Sequence, residues 1–335
     1  MLSESYVLPG SPDYPLAIAA KRYWATEFEG NATVPTAQTL ILLHSTSFHK
    51  ETWEPTLEDL FQFASRHGSK NLIREAWSID CPNHGESGHL NHRALSQSEF
   101  PNFTCEKYAQ AAHRFIMSGL ADFRSRNLVG IGHSLGANAM LLLQEVKPSL
   151  PFSFLVIVEP MVSAKGQEPL APLRRSLVNR ASKRREFWPS RTTFKEELGA
   201  PDRHAAKWDS RVLDSFVNHA IYRNQEENNF ALACKPEQEV AMYRDDLEGP
   251  TKPVQVVDRI CHSIPIHLIL GGIHDLIPEQ VHRDLLDTNS GRNFATVVTM
   301  KDVGHLIPQE DPSRLAQEIF TALLSDKNTQ TSSRL

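Results

Sequence analysis

The sequence predicts an α/β protein, in which a doubly wound, mostly parallel sheet carries an inserted helical cap. Apolar runs of strand length alternate with helical patterns through most of the chain. This alternation stops after residue 160 and resumes after residue 250. A strand-to-helix junction at residues 127–137 carries a motif typical of such sheets. We therefore expect a core formed by residues 1–160 and 251–326, a cap formed by 161–250, and a flexible tail formed by 327–335.

The composition sets limits on the class of protein. With 335 residues, 40% apolar, the chain is long enough to bury a sizeable core. Its formal net charge of −5 gives no overall attraction to nucleic acid or to an anionic membrane. No secretory signal and no apolar run of membrane-spanning length is seen. The four cysteines are too widely spaced to predict a disulfide framework or a zinc site: Cys81, Cys105, Cys234 and Cys261.

The strands and helices of the first half follow one another in the α/β pattern. Strand-like runs occupy residues 14–26, 39–46, 71–80 and 127–133, and helical patterns occupy 56–67 and 104–119. The run at 39–46 is apolar and ends in a polar loop, His44-Ser45-Thr46. A loop at this position supplies one oxyanion-hole N–H in sheets of this kind, and the residue after the nucleophile supplies the other. We therefore expect the backbone N–H groups of Thr46 and Leu135 to be the donors, with an ordinary solvent-facing loop as the alternative.

The candidate nucleophile is Ser134. Gly132-His133-Ser134-Leu135-Gly136 fits the G-x-S-x-G elbow, which holds a serine in strained geometry between a strand and a helix. An apolar strand precedes it, and a helix that is apolar nearly all round follows it as far as Pro148. We expect side chains at positions 132 and 136 to collide with that helix, which explains the two glycines.

Candidates for the other catalytic groups follow later strands. A buried strand at 151–158 ends in Glu159, a strand at 264–271 leads to Asp275, and the next strand leads to His305. The order Ser134, Asp275, His305 is that of one family of serine hydrolases. Glu159 is the alternative acid, because some proteins with this fold place the acid after the strand that follows the nucleophile helix. Asp275 is favoured, because the loop Gly271-Gly-Ile-His-Asp-Leu-Ile-Pro matches the usual acid loop more closely than Glu159-Pro160 does. A closing helix is expected at 311–325.

These motifs resemble the α/β-hydrolase superfamily over residues 14–325. The segment Asp80-Cys-Pro-Asn-His-Gly-Glu-Ser also resembles a turn of that family. The cap and the final tripeptide resemble fungal peroxisomal hydrolases of host-selective toxin biosynthesis, which are themselves similar to a yeast peroxisomal lipase. The resemblance implies a serine hydrolase of an ester or thioester of a medium or long acyl chain, with a role in making the decatrienoic-acid part of a toxin. The alternatives are a peroxisomal lipase or carboxylesterase, and a catalytically silent binding module.

Two further features suggest partners. Ser333-Arg334-Leu335 is a close variant of the peroxisomal address, so we expect recognition by the peroxisomal import receptor. Residues 170–200 contain eight basic residues against three acidic ones, which suggests a site for the phosphates of an acyl-CoA substrate. The alternative is a solvated helical face. No cofactor is predicted, and the spacing of His84, His89 and His92 predicts no metal site.

Overall fold

The computed structural model describes residues 1–97, 103–245 and 248–332. Its centre is an eight-stranded sheet in the order β1-β2-β4-β3-β5-β6-β10-β11. The strands of this sheet are β1 (Leu2–Leu8), β2 (Ile18–Trp24), β3 (Gln38–Leu43), β4 (Ile73–Ile79), β5 (Asn127–His133), β6 (Phe152–Val158), β10 (Ile266–Gly271) and β11 (Thr296–Met300).

The sheet is parallel from β4 to β11, and β2 runs antiparallel to both β1 and β4. Leu43 pairs with Gly132 and His133 pairs with Val158, so β3, β5 and β6 end at one edge. The carboxyl ends of parallel strands are where such sheets hold their functional groups. The predicted mostly parallel, doubly wound sheet is confirmed.

Thirteen α-helices occur in the described part of the chain. They are α1 (Glu54–Arg66), α2 (Gly85–Leu90), α3 (His92–Leu95), α4 (Cys105–Met117), α5 (Leu135–Leu143), α6 (Ala171–Ser182), α7 (Arg191–Leu198), α8 (Ser210–His219), α9 (Pro236–Arg244), α10 (Lys252–Ile260), α11 (Glu279–Leu285), α12 (Ile307–Glu310) and α13 (Pro312–Ser332). None of these helices is both long and apolar enough to cross a membrane.

Two hydrophobic clusters cover the two faces of the sheet. On β6, Leu155 and Ile157 pack with α4, α5 and α10, whereas Val156 and Val158 pack with α1 and α13. Successive side chains of a strand point to opposite faces, so a strand buried on both sides reads as one continuous apolar run. Every residue of α5 is buried, because this helix lies directly against the sheet.

The segment between β6 and α10 holds helices α6–α9 and also a small antiparallel sheet. This sheet has the order β7-β9-β8, with β7 (Phe187–Trp188), β8 (Ile221–Asn224) and β9 (Asn229–Leu232). The expectation of a purely helical cap was therefore incomplete. Strands of two to four residues are too short to show a period of two in the sequence.

The two ends of the chain also differ from expectation. β1 pairs with β2 along the sheet edge, although no strand was predicted there. α13 continues to Ser332, beyond the predicted helix at 311–325, so the backbone of 327–332 is helical. The targeting residues Ser333, Arg334 and Leu335 lie outside the described residues.

Candidate active site

Ser134 occupies the sharp turn between β5 and α5. Its φ of 55° and ψ of −121° are strained for a residue with a side chain, as expected of a nucleophile elbow. A Cβ at position 132 would lie 2.6 Å from Ala137 Cα in the helix, as predicted. A Cβ at position 136 would instead clash with the carbonyl oxygens of Leu43 and His44. Gly136 is thus needed for the close approach of α5 to the end of β3.

A hydrogen-bonded chain of three buried side chains begins at this serine. Ser134 Oγ lies 2.9 Å from His305 Nε2, and His305 Nδ1 lies 3.0 Å from Glu159 Oε2. Exposed fractions are 3% for Ser134, 4% for His305 and 1% for Glu159. The imidazole can therefore take a proton from the serine on one side while a carboxylate fixes its tautomer on the other.

The carboxylate that reaches the imidazole is Glu159, and the preference for Asp275 was wrong in this respect. Asp275 is exposed, and its Oδ1 accepts the backbone N–H of His305 at 3.0 Å. β6 lies between β5 and β10, so Glu159 follows a strand adjacent to the elbow. Asp275 lies four residues beyond the end of β10 and contacts the main chain of the histidine loop instead of the ring.

Glu159 is held as a carboxylate by its neighbours. Burial alone would raise its pKa, but the side chains of His282 and His305 lower the pKa to about 2. The Glu159 Oε1 atom accepts the backbone N–H of Gly271 and lies 3.5 Å from His282 Nε2. His282 is a single buried histidine on α11, and no sequence pattern marked it.

The loop after β3 forms a tight turn over the site. The Phe48 N–H donates to the Ser45 carbonyl at 3.2 Å, and Ser47 has a φ of 73°, as at the third position of a type II turn. His44 Nε2 accepts the Cys81 N–H, so His44 Nδ1–H donates to the Ser45 carbonyl at 2.8 Å. Burial lowers the pKa of His44 to about 3, which keeps the ring neutral.

A second buried histidine supports the same turn. His84 Nε2 accepts the backbone N–H of Ser47 at 3.0 Å, and His84 Nδ1 lies 2.7 Å from Asn83 Oδ1. Burial holds the pKa of His84 well below its ordinary value of 6.5. The segment 80–87, noted in the sequence only for its resemblance to a family turn, therefore fixes the loop that faces Ser134.

The two predicted oxyanion donors belong to the residue after the nucleophile and to the turn after β3. Leu135 is the first residue of α5, and the first N–H groups of a helix have no partner within it. Thr46 is buried in the turn and lines the same cavity as Ser134. Their role as oxyanion donors remains a prediction.

The cap is joined to this turn by an ionic network. Ser47 Oγ donates to the carboxylate of Glu239 on α9 and lies 3.0 Å from the hydroxyl of Tyr243. The other Glu239 oxygen pairs with Arg184 at 2.8 Å. No motif in the sequence connects these residues, which are far apart along the chain.

A cavity of about 860 Å³ lies between the cap and the sheet edge and reaches Ser134 and His305. One part of its wall is aromatic: Phe48, Phe216 and Trp208 lie with ring centroids 5.3–5.5 Å apart, and Trp188 and Phe194 adjoin them. The exposed part of its lining includes Arg180, Lys183 and Arg203. The cavity thus combines an apolar wall with a basic one.

The basic run at 170–200 is mostly engaged in contacts within the protein. Arg184 pairs with Glu239, Arg185 with Glu197 and Lys195 with Asp214. Arg174 and Arg191 donate to backbone carbonyls. Arg180 and Lys183 have no ion-pair partner among the described residues and face the cavity. Only a part of the run is therefore available to a ligand.

Among the described residues, no group of three or more histidine, cysteine, aspartate or glutamate side chains could hold a metal ion.

Comparison with known proteins agrees with the fold. Residues 40–318 match the alpha/beta hydrolase family. The chain belongs to that family. This alpha/beta hydrolase is 30% identical over 188 residues to the type I acyl-CoA thioesterase mpaH of Penicillium brevicompactum, a match that covers 55% of this chain and 40% of that protein. It is 27% identical over 323 residues to the protein of the same name in Penicillium roqueforti, covering 90% of this chain and 66% of that protein.

The hydrolase thus spans less than two thirds of the length of these relatives. Among solved structures, it is similar to the peroxisomal alpha-beta-hydrolase Lpx1 of Saccharomyces cerevisiae, with a TM-score of 0.73 and 18% identity. That match covers 98% of this chain and 90% of the yeast chain. At this identity the likeness concerns the fold, and the predicted α/β-hydrolase fold is confirmed.

Proposed function

We propose that this protein is a serine hydrolase of acyl-CoA thioesters with medium or long acyl chains. The observation that carries the proposal is the hydrogen-bonded chain Ser134–His305–Glu159, which opens into the cavity under the cap. Ser134 is the nucleophile, His305 the general base and Glu159 the acid that orients the ring. The backbone N–H groups of Thr46 and Leu135 stabilise the oxyanion.

The reaction proceeds in two halves. Ser134 Oγ attacks the thioester carbonyl carbon while its proton passes to His305 Nε2 and the carbonyl electron pair moves onto the oxygen. When this intermediate collapses, the C–S bond breaks and the imidazolium gives its proton to the departing CoA sulfur. Water, deprotonated by His305, then attacks the carbonyl carbon of the acyl-serine ester. When this second intermediate collapses, the ester C–O bond breaks, His305 returns the proton to Ser134 Oγ, and the carboxylic acid leaves. Throughout, the buried Glu159 carboxylate stabilises the imidazolium.

The two sides of the cavity support an acyl-CoA as the substrate. The aromatic wall suits an acyl chain, since burying apolar surface stabilises the complex by roughly 25 cal/mol per Å². Arg180, Lys183 and Arg203 suit the phosphates of coenzyme A on the exposed side. The Penicillium relatives carry the name acyl-CoA thioesterase, which supports the same substrate class. A role in fungal toxin biosynthesis stays a prediction from the resemblance.

Salt dependence tests the choice of an acyl-CoA over a neutral ester. We expect kcat/KM for decanoyl-CoA to fall with rising ionic strength, because salt screens exposed phosphate contacts. We also expect it to fall in the double variant Arg180→Glu/Lys183→Glu, because this variant reverses two of the charges proposed to contact the phosphates. The matched substrate, p-nitrophenyl decanoate, lacks phosphates and should respond to neither change. The control variant is Arg175→Glu, which changes an exposed arginine of α6 that does not line the cavity.

The aromatic wall also suits an uncharged ester, which is why a lipase or carboxylesterase is the second candidate. Turnover of the neutral ester, with none of decanoyl-CoA, would favour that candidate and reject the thioesterase proposal. Absence of turnover with both substrates would favour the binding module.

A peroxisomal location belongs to the same proposal. It is supported by the tripeptide Ser333-Arg334-Leu335 and by the name of the yeast protein with a similar fold. A fluorescent protein fused before Met1 should give a punctate signal that a change of Leu335→Asp makes diffuse. A diffuse signal from the unchanged fusion would contradict the proposed location.

A further inference from the structure

The Glu159 carboxylate lies between two histidines. His305 Nδ1 lies 3.0 Å from Glu159 Oε2, and His282 Nε2 lies 3.5 Å from Glu159 Oε1. His282 is 6% exposed, and its Nε2 has no hydrogen-bond partner closer than this oxygen among the described residues. A bare ring nitrogen would turn its lone pair towards the negative charge, which is unfavourable in a buried site. Nε2 is therefore the nitrogen that carries the proton in neutral His282.

The backbone of Glu159 is strained, so its position depends on the groups that hold it. Its φ of 45° lies in the left-handed region, which disfavours residues with a side chain. Such residues persist only where their surroundings fix them, and they cluster at active sites. The Glu159 N–H donates to the Ile269 carbonyl at 2.9 Å, and its Oε1 accepts the Gly271 N–H. β10 thus fixes the main chain and one oxygen, and His282 places a side-chain donor beside that same oxygen.

The segment after β10 contacts both partners of the nucleophile. Its loop carries Asp275, whose Oδ1 accepts the His305 N–H at 3.0 Å, and its helix α11 carries His282. This segment therefore reaches the base through the main chain and the acid through the carboxylate. His282 is not among the described residues that line the cavity. Any effect of His282 on the reaction must then pass through Glu159.

We propose that His282 is a positioning residue, whose Nε2–H donates to Glu159 Oε1 and so holds Oε2 against His305 Nδ1. This inference rests on the proposed serine hydrolase function. The contact is longer than an ordinary hydrogen bond, and hydrogen bonds of catalytic groups are often long in the free enzyme and shorten in the substrate complex. The donor also shares the negative charge of the carboxylate, which limits the proton affinity of the Glu159–His305 pair. His282 itself transfers no proton.

Other titratable groups lie around this pair, and substitutions of His282 leave them in place. They are His133 on β5, Glu310 on α12, and His274 and Asp275 in the loop after β10. Burial lowers the pKa of His133 to about 3, so that ring stays neutral. A change in pH dependence on substituting His282 then reports on its contact with Glu159.

The test compares His282→Met, which removes the donor at similar length, with His282→Gln, whose amide N–H can take the place of Nε2–H. We expect kcat for p-nitrophenyl decanoate to fall about tenfold in His282→Met with little change in KM, because Glu159 then holds the imidazole less well in line. The acid limb of the pH profile of kcat/KM should move to higher pH by about half a pH unit or more, because the pair binds its proton more tightly. His282→Gln should recover most of the rate and the position of the limb.

The matched control is His113→Met. His113 is also a buried helical histidine, 7% exposed, and its Nε2 lies 2.8 Å from the Pro148 carbonyl, away from the cavity. This variant should leave both kcat and the pH profile unchanged.

Proton NMR gives a second measurement. An imidazole N–H that donates to a carboxylate resonates far downfield, so the parent protein should show such a signal from His305 Nδ1–H that is absent from His305→Ala. We expect this signal to move upfield or to broaden in His282→Met and to return in His282→Gln.

The outcomes separate the two proposals. If the parent enzyme turns over no ester or thioester, the proposed hydrolase function fails, and the downfield signal alone decides whether His282 holds Glu159 against His305. If the parent enzyme is active and His282→Met matches it in kcat and pH profile, the His282 inference fails alone. A fall in kcat with an acid limb that stays in place or moves to lower pH would also overturn it, as would equal losses in His282→Met and His282→Gln.

Discussion

Glu159 and Asp275 both contact His305, but at different atoms. Glu159 is buried and reaches the ring nitrogen, whereas Asp275 is exposed and accepts the backbone N–H. A carboxylate on the ring stabilises the imidazolium during catalysis, while one on the main chain positions the loop that carries the histidine. We therefore expect the two residues to have separable effects on the rate.

Substitution by the neutral amide distinguishes these two roles. We expect Glu159→Gln to lower kcat by a factor on the order of 10³ to 10⁴, because the amide cannot stabilise the charged imidazole and favours the wrong tautomer. Asp275→Asn keeps an oxygen for the His305 N–H and should cost less than about tenfold. Steady-state hydrolysis of p-nitrophenyl decanoate measures both. The reverse ranking of the two variants would show that Asp275 is the acid.

The low pKa of Glu159 makes the stability of the fold depend on pH. The pKa is about 2 in the folded protein against an ordinary value of 4.5, so the charged carboxylate contributes stability in full above pH 4.5 and loses it as the pH falls towards 2. Urea unfolding across this range should show a shallower loss of stability in Glu159→Gln than in the parent protein. Equal slopes for the two proteins would contradict the stabilisation of the Glu159 carboxylate by its contacts with His282 and His305.

At the scale of elements, the turn after β3 joins the core to the cap. Ser47 donates to Glu239 on α9, and Glu239 pairs with Arg184 in the segment after α6. A change in the position of α9 would therefore be transmitted to the turn that holds Thr46. This contact provides a physical route by which the cap can affect the reaction at Ser134.

Removing the Ser47 hydroxyl tests that connection. We expect Ser47→Ala to lower stability by about 1–3 kcal/mol, because the buried Glu239 carboxylate loses a donor. We expect kcat to fall between about 10- and 100-fold as the turn shifts from its productive position. The control is Ser182→Ala in α6, which removes an exposed hydroxyl that donates to the Asn179 carbonyl. Equal kcat in Ser47→Ala and the control would argue against coupling between cap and turn.

The strands that were predicted correctly are those whose burial produces a continuous apolar run in the sequence. β3, β5, β6 and β10 are almost wholly buried and read as continuous apolar runs. β1 is largely exposed along the sheet edge, so it lacks such a run. The cap strands do bury Trp188, Ile221 and Leu232 in one cluster, but they are only two to four residues long and leave no period in the sequence.

At the scale of the whole molecule, local motifs predicted the fold and the strand-to-helix turn that carries Ser134, but not the contacts that distant segments make there. Gly132, Ser134 and Gly136 are constrained by one turn, so their spacing is visible along the chain. Glu159 and Asp275 follow β6 and β10, which are neighbours in the sheet. The sequence alone therefore does not show which of the two carboxylates reaches the His305 ring. The link from Ser47 to Glu239 spans nearly 200 positions and depends entirely on how the cap folds back over the core.

We propose that Ser134 is an activated nucleophile in a site that binds an acyl-CoA. Labelling by a fluorophosphonate probe, located by peptide mass spectrometry, tests it most directly, because the probe reacts with an activated serine whatever the natural substrate is. We predict modification of the peptide that contains Ser134, slowed by decanoyl-CoA and absent from Ser134→Ala and His305→Ala. Equal labelling of Ser134→Ala, or labelling of Ser134 that is indifferent to His305, would contradict the proposed site.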